Sequence, residues 1–413
     1  MDLKNIIDKK SDYADYMLDE ITHICKDMDK RDPGSPGEKQ ACEYMADVLK
    51  KDCGCERTDV ESFKENPGSF FGWIYFTITF VLAAIVLFFF CPIVSAILIV
   101  AGLTIVLLQF GFYKKCVDRF FPEKTGHNVT AVKKCSGEVK RRIFFNGHPD
   151  AAWEWPVNYA LGGVGFEGHA VICGIGAVYY LVISIISTVK YGAFGMISHD
   201  VTLFKMALWG LIFVPFLIGL YWMWNKNRIV DGANDNLSGC YMGIAVLKAL
   251  HDQGITLENT EVGVILSGSE EAGLRGCKSW AKNHYDEYVN SGVETVVLCV
   301  DTLTDREYLR VYNKDMTGTV KNNQQFSQLV MNASKDAGHD DIELSSVFFG
   351  SSDAAAFSQA GITATCLAAM DPRPADYYHN RRDTADRLVP ETIKTGFDVI
   401  ISTILNFDEK GLN

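Results

Sequence analysis

The sequence predicts an α/β protein, a mixed sheet sandwiched by helices, that is interrupted by four transmembrane helices. Three observations carry this. Short apolar runs such as RRIFFNG, EVGVILSG and TVVLCV end in polar loops, and helix-like stretches such as CYMGIAVLKAL follow; strands alternating with helices build a mostly parallel or mixed sheet covered on both faces. No charged residue occurs from Ser69 to Tyr113, a stretch of about 45 residues where one helix needs about 20 to cross a bilayer. Hydrophobic residues make up 48% of the 413, yet the mean hydropathy is only +0.05, as a mixture of soluble and spanning parts requires.

From Tyr13 to about Lys51 the apolar spacing is helical, and Pro33-Gly34 with Pro36-Gly37 divides it in two. Residues 1–66 are assigned to the soluble domain. SFFGWIYFTITFVLAAIVLFFF and IVSAILIVAGLTIVLLQFGFY follow, separated at Cys91-Pro92, where proline removes a helix donor and favours reversal. Residues 67–113 therefore read as a helical hairpin. The soluble domain resumes over 114–168. A third run, from about Ala170 to Val189, and a fourth, from about Met206 to Trp224, flank a polar segment containing Gly192, Gly195, His199 and Asp200, so 169–224 reads as a second hairpin. Tyr221, Trp222 and Trp224 close it as an interfacial aromatic belt would. Residues 225–413 complete the soluble domain.

The net charge of −12 and the absence of a basic stripe argue against a nucleic-acid partner. Twelve cysteines are scattered through apolar and polar stretches alike, which points to a reducing compartment rather than a disulfide framework. Cys53 and Cys55 have no matching second pair, so a zinc finger is not expected. The opening residues MDLKNIIDKKSDYADY hold no apolar core of the kind a secretory signal needs.

Five motifs carry chemistry. Gly147-His148-Pro149-Asp150 follows an apolar run; a ligating histidine needs its second ring nitrogen held, and a carboxylate two residues on can hold it. Asp231-Gly232-Ala233-Asn234-Asp235-Asn236-Leu237-Ser238-Gly239 opens a helix running to Leu250, with small residues that let backbone approach a metal-bridging carboxylate. Ser267-Gly268-Ser269-Glu270-Glu271-Ala272-Gly273 follows VGVIL. Adjacent acids in an extended segment point in opposite directions, so one can bind metal while the other serves as base to the reacting water. Asp301 ends TVVLCVD, and His379 lies in Tyr377-Tyr378-His379-Asn380-Arg381-Arg382-Asp383-Thr384. Together these supply two histidines and three acids, donors that zinc accepts.

In this order the motifs resemble the co-catalytic two-zinc exopeptidases, which include bacterial leucine-type aminopeptidases, with glutaminyl cyclases and transferrin-receptor-like proteins as relatives. The resemblance covers about Gly34 to Phe407 with the apolar runs left out. It implies two zinc ions held by His148, Asp235, Glu271, Asp301 and His379. It also implies that Asp150 orients His148, that Glu270 is the general base, and that Asp235 bridges the metals. By the same analogy His148 and Asp301 serve one metal and Glu271 and His379 the other. The activity implied is peptide hydrolysis, most specifically as an aminopeptidase. Where relatives read Ser-Asp-His, this chain has Ser352-Asp353-Ala354, which alters the substrate contacts expected there. Typical members are soluble or carry one anchoring helix, so the two hairpins are a second departure.

Since His148 and Asp235 must meet, the number of crossings between them is even. All soluble parts then share one side, whose span ends carry Lys64, Lys114, Lys115, Arg119, Lys226 and Arg228 against Lys190 and Lys205 opposite. The positive-inside rule places the catalytic domain in the cytoplasm. About 11 residues separate Trp224 from Asp235, at most roughly 3.6 Å each, so the site is expected near the bilayer, with hydrophobic or membrane-released peptides as substrates. The exposed hairpins are also surfaces on which subunits could pair as a homo-oligomer. Two rival readings follow from the same resemblance: a glutaminyl-cyclase-like acyltransferase using one zinc, and a non-catalytic receptor or scaffold. A transporter is disfavoured because the four apolar runs hold no acid or base.

Overall fold

The computed structural model describes residues 4–194, 200–373 and 375–412. Gly195 and His199 of the second hairpin's polar segment lie outside them. The chain forms two compact units, one from residues 1–65, 123–154 and 227–413 and the other from 66–122 and 155–226. These bounds differ from the sequence reading, because 114–122 and 155–168 group with the helical unit. Pro156 explains the second shift. Its fixed φ suits the first helical position, and the helical stretch it opens, broken at Gly162 where φ is 69°, runs on to Tyr191. That helix includes Glu167 and His169, which the sequence reading set before the span.

The first unit is built on a nine-stranded mixed sheet. Its strands are β1 (Arg57–Glu65), β2 (Lys124–Lys133), β3 (Arg141–Gly147), β4 (Thr260–Ser267), β5 (Glu294–Leu303), β6 (Leu309–Asp315), β7 (Val320–Lys321), β8 (Leu344–Ser346) and β9 (Thr363–Ala369). The order is β1-β2-β4-β3-β5-β9-β6-β8, with β7 paired to β6. The central strands β4, β3, β5 and β9 run parallel. Alternation sorts their side chains. Ile143 and Phe145 join the main core with Val264, Leu298 and Val300, whereas Phe144 packs edge-on to Trp280 and Tyr288, with centroids at 6.1 and 5.0 Å. Helix Ser238–Asp252 is buried along almost its whole length, as a helix covering the middle of a sheet must be. The predicted break at Pro33–Gly37 separates helix Lys10–Asp27 from Pro36–Lys51. There Ser35 caps the second helix by accepting from the Glu38 amide at 3.1 Å, and Pro36 fills its first position.

Among the described residues, the second unit holds four helices long and apolar enough to cross a membrane by length and composition: Ser69–Leu87, Pro92–Gly111, Pro156–Tyr191 and Val201–Trp222. Its interior uses small and hydroxylated residues, which let helices approach closely. A Cβ on Gly102 would come within 3.2 Å of the Thr77 carbonyl oxygen, and the Thr77 hydroxyl donates to the Gly102 carbonyl at 2.9 Å. Ser95 and Ser184 share a hydrogen bond of 2.9 Å between helices. Tyr179 and Tyr180 donate to the Met206 and Ala207 carbonyls at 2.7 Å each. Asp200 caps helix Val201–Gly210 and takes Lys190 at 2.7 Å and the Tyr191 hydroxyl at 2.6 Å.

All twelve cysteines are free.

Candidate metal centre

The site forms where parallel strands end, the usual place for ligands in such sheets. His148 follows β3 directly, Glu270 and Glu271 follow β4, and Asp301 lies on β5 opposite Ala368 of β9. Gly147 permits the approach of the neighbouring helix, since a Cβ there would meet the Cys240 backbone nitrogen at 2.5 Å.

The structure brings all five predicted ligand residues together. Three groups of donors have atoms within 4.8 Å of one another: His148, Asp235 and Asp301; His148, Glu270 and Glu271; and Asp235, Glu271 and His379. The first and third are the two sets that the resemblance implied, joined at Asp235. Its Oδ1 is 3.2 Å from His148 Nε2 and its Oδ2 is 3.4 Å from His379 Nε2. Glu271 Oε1 is 3.2 Å from His379 Nε2, and Glu270 Oε2 is 3.9 Å from His148 Nε2.

Asp150 has two duties. Its Oδ1 is 3.4 Å from His148 Nδ1, as an orienting carboxylate requires. Its two oxygens also accept the Glu270 and Glu271 amides at 3.0 Å each. This corrects the expected extended geometry of the acid pair. Ser269 takes a left-handed conformation, φ 58°, and Glu270–Ala272 form a 3-10 turn. The reason is that one carboxylate collects two successive amides, which a turn can present and a strand cannot.

Burial sets the electrostatics. Desolvation pushes the carboxyls of Glu270 and Asp301 well above the usual range and raises Glu271, with neighbouring carboxylates adding to it. Burial alone would lower the two histidines, but the carboxylates outweigh it: Glu270, Asp150 and Asp235 raise His148 well above its ordinary value, and Glu271 with Asp235 raises His379 to about 10. Asp235 is held low despite its burial by His148 and His379. Such a cluster has more acid than its two imidazoles can balance, and nitrogen and oxygen donors already converge. A dication replacing the retained protons fits these residues.

Several supporting residues escaped sequence reading. Asp383 accepts the Asn234 amide at 2.7 Å and the Asp235 amide at 3.1 Å. Burial pushes its carboxyl up to about 7. Its motif was visible, but its role needs a contact spanning distant segments. Buried Arg31 donates to the carbonyls of Pro149, Asp231 and Gly232 at 2.7, 2.6 and 3.1 Å, joining two ligand loops. Gly232 has φ 59° and a Cβ there would meet Ala151 at 2.7 Å, which accounts for the glycine of that motif. Asp383→Ala should lower stability by about 3 kcal/mol, because two buried amides lose their acceptor. Thermal unfolding of the zinc-free protein measures this, and an unchanged midpoint would remove Asp383 from this role.

Behind Glu270, Ser269 Oγ bonds to Glu38 at 3.1 Å and to Glu65 at 2.6 Å. Burial raises Glu65 to about 7, with the nearby Asp150 charge adding to the shift. A carboxyl raised in the fold stabilises it fully below the unfolded value and loses that contribution as pH rises through about 7. Glu65→Gln, which keeps the neutral shape, should therefore flatten the fall in unfolding midpoint between about pH 4.5 and 7. An unchanged pH slope would contradict this.

Residues 221–404 match the model of peptidase family M28. This stretch, a little under half of the chain, contains Asp235, Glu270, Glu271, Asp301 and His379, and the match supports a zinc metallopeptidase. Among solved structures, an aminopeptidase from Aneurinibacillus sp. strain AM-1 is 14% identical, with 97% of this chain and 94% of that one covered and a TM-score of 0.56. BSAP, a zinc aminopeptidase from Bacillus subtilis, is 13% identical over 95% and 94% of the two chains, TM-score 0.55. A glutaminyl cyclase from an Acidobacteriales bacterium is 12% identical over 97% and 96%, TM-score 0.55. These likenesses establish the shared fold. Among curated proteins none matches the sequence.

Proposed function

We propose that this chain is a membrane-embedded aminopeptidase with two zinc ions, held by His148, Asp235, Glu271, Asp301 and His379, and Glu270 as general base. The observation that carries the proposal is the pair of three-donor groups sharing Asp235. Zinc bound there would lower the pKa of water to about 7 and polarise the scissile carbonyl. Glu270 takes the proton of the attacking water and returns it to the leaving amine. Asp150 keeps this base in place through its backbone amide.

The choice of end is supported by the cleft beside the cluster. Beyond the proposed ligands and base, its lining includes Asp371 and, among the described residues, no lysine or arginine. Such a lining offers no cation to hold a terminal carboxylate, and Asp371 suits a free α-ammonium group. Tyr312, Val347, Phe348, Phe349 and Met370 supply apolar surface in the same cleft, which suits hydrophobic or membrane-released peptides.

Membrane embedding is supported by the apolar surface of the helical unit, where Val86, Ile97, Val171, Trp209 and Ile212 are exposed. Apolar surface of this extent in water would favour aggregation. The cytoplasmic orientation rests on the positive-inside argument.

A peptide library with free and acetylated amino termini, analysed by mass spectrometry with and without chelator, tests the reading. Stepwise loss of amino-terminal residues from free peptides alone, abolished by chelator, is expected. Pyroglutamyl products would instead establish the cyclase reading, and no turnover in the zinc-loaded protein would favour a scaffold.

A further inference from the structure

We infer that Glu154 is a positioning residue for the metal centre, a carboxylate at which three ligand-bearing segments are tied. Glu154 is 1% exposed. It accepts a two-pronged contact from Arg381, Nε at 2.6 Å and Nη2 at 2.9 Å, and Arg228 Nε lies 3.8 Å from its Oε2. Each partner belongs to a different ligand segment. Glu154 ends the stretch that begins at His148, Arg228 lies on the strand leading to Asp235, and Arg381 follows His379.

The His379 loop needs such an anchor. His379 has φ 50°, a left-handed conformation that favours glycine and persists in other residues only when the surroundings hold it. Two contacts bracket it: upstream, the Tyr377 hydroxyl donates to Asp305 at 2.7 Å; downstream, Arg381 grips Glu154. A bidentate guanidinium fixes direction as well as distance. Burying a carboxylate costs several kcal/mol before pairing, and an apolar pair of similar volume would avoid that cost. Geometry is what the ion pair adds.

The second segment of the helical unit begins at Trp155, directly after Glu154, and ends at Lys226, two residues before Arg228 of the short strand Asn225–Ile229. Both chain connections of the second insertion therefore adjoin residues of the clamp in sequence.

The inference rests on the metallopeptidase reading, and its test separates the two. Full-length protein in nanodiscs is titrated with zinc alone against a chromophoric chelator, for wild type, Glu154→Gln, Arg381→Gln and the double variant. Each single variant should bind zinc about 10- to 100-fold more weakly. The double variant should be no weaker than the worse single, because one interaction is lost in all three. Excess zinc should restore kcat with little change in KM. The double variant strands no buried charge, so its zinc-free unfolding midpoint provides a folded reference if a single variant fails to fold. Equal zinc affinity in wild type and variants overturns the inference, including where the unfolding midpoint falls, since the pair is then structural only. A wild type that binds no zinc overturns the metallopeptidase reading instead.

Discussion

Replacing Glu270 with glutamine is expected to lower peptide hydrolysis by about 10²- to 10⁴-fold, the usual worth of a general base, while both zinc ions stay bound. The geometry separates the two effects. Glu270 is absent from the two donor groups that share Asp235, so the proposed ligand sets lose nothing. Its amide, held by Asp150 at 3.0 Å, is unchanged by a substitution at the end of the side chain. Glutamine keeps the volume and removes only the capacity to accept a proton. Because that capacity acts in the transition state, kcat and kcat/KM should fall together with KM nearly constant. Zinc content measured by mass spectrometry, alongside turnover of a free-amino dipeptide, checks this. Two zinc ions with a near-normal rate would show that another group takes the proton.

Much of the centre could be read from the chain because its donors sit in short motifs just after buried strands. Periodicity locates the strands, and in an α/β sheet the site follows from where strands end. The order of His148, Asp235, Glu270, Glu271, Asp301 and His379 then sufficed for the resemblance. The supporting residues were hidden for a common reason. Arg31, Asp383 and Glu154 act through contacts between segments far apart in sequence; alone, Arg31 and Asp383 are ordinary charged residues in polar loops and Glu154 a single acid between two tryptophans. The acid pair was misjudged locally: extended backbone was assumed, but a distant carboxylate, Asp150, dictates a turn. In the helical unit the apolar runs revealed the helices, while the start of the third was obscured by Glu167 and His169. Glu167 looks like the end of a soluble segment, and neither it nor His169 marks the helical stretch that Pro156 opens and Gly162 interrupts.

Removing Asp235 should have the largest effect on the metal. Asp235→Ala is expected to leave less than one zinc per chain and hydrolysis below detection, since its two oxygens serve both donor groups. Without it one group retains His148 and Asp301 and the other Glu271 and His379, two protein ligands each where stable zinc sites use three or four. The fold should survive, because the backbone amides of Asn234 and Asp235 remain held by Asp383, and the Asn236 side chain still donates to the Val300 carbonyl at 2.9 Å. Asp301→Ala provides the contrast. It touches one group only, so one zinc should remain with Asp235, Glu271 and His379. A single-zinc cyclase predicts otherwise: one ion in the wild type, and no metal lost with Asp301. Zinc counted in the three proteins after identical dialysis decides it, with a sequence of two, one and nearly none expected. Retention of two ions by the Asp235→Ala variant would show that this carboxylate bridges nothing.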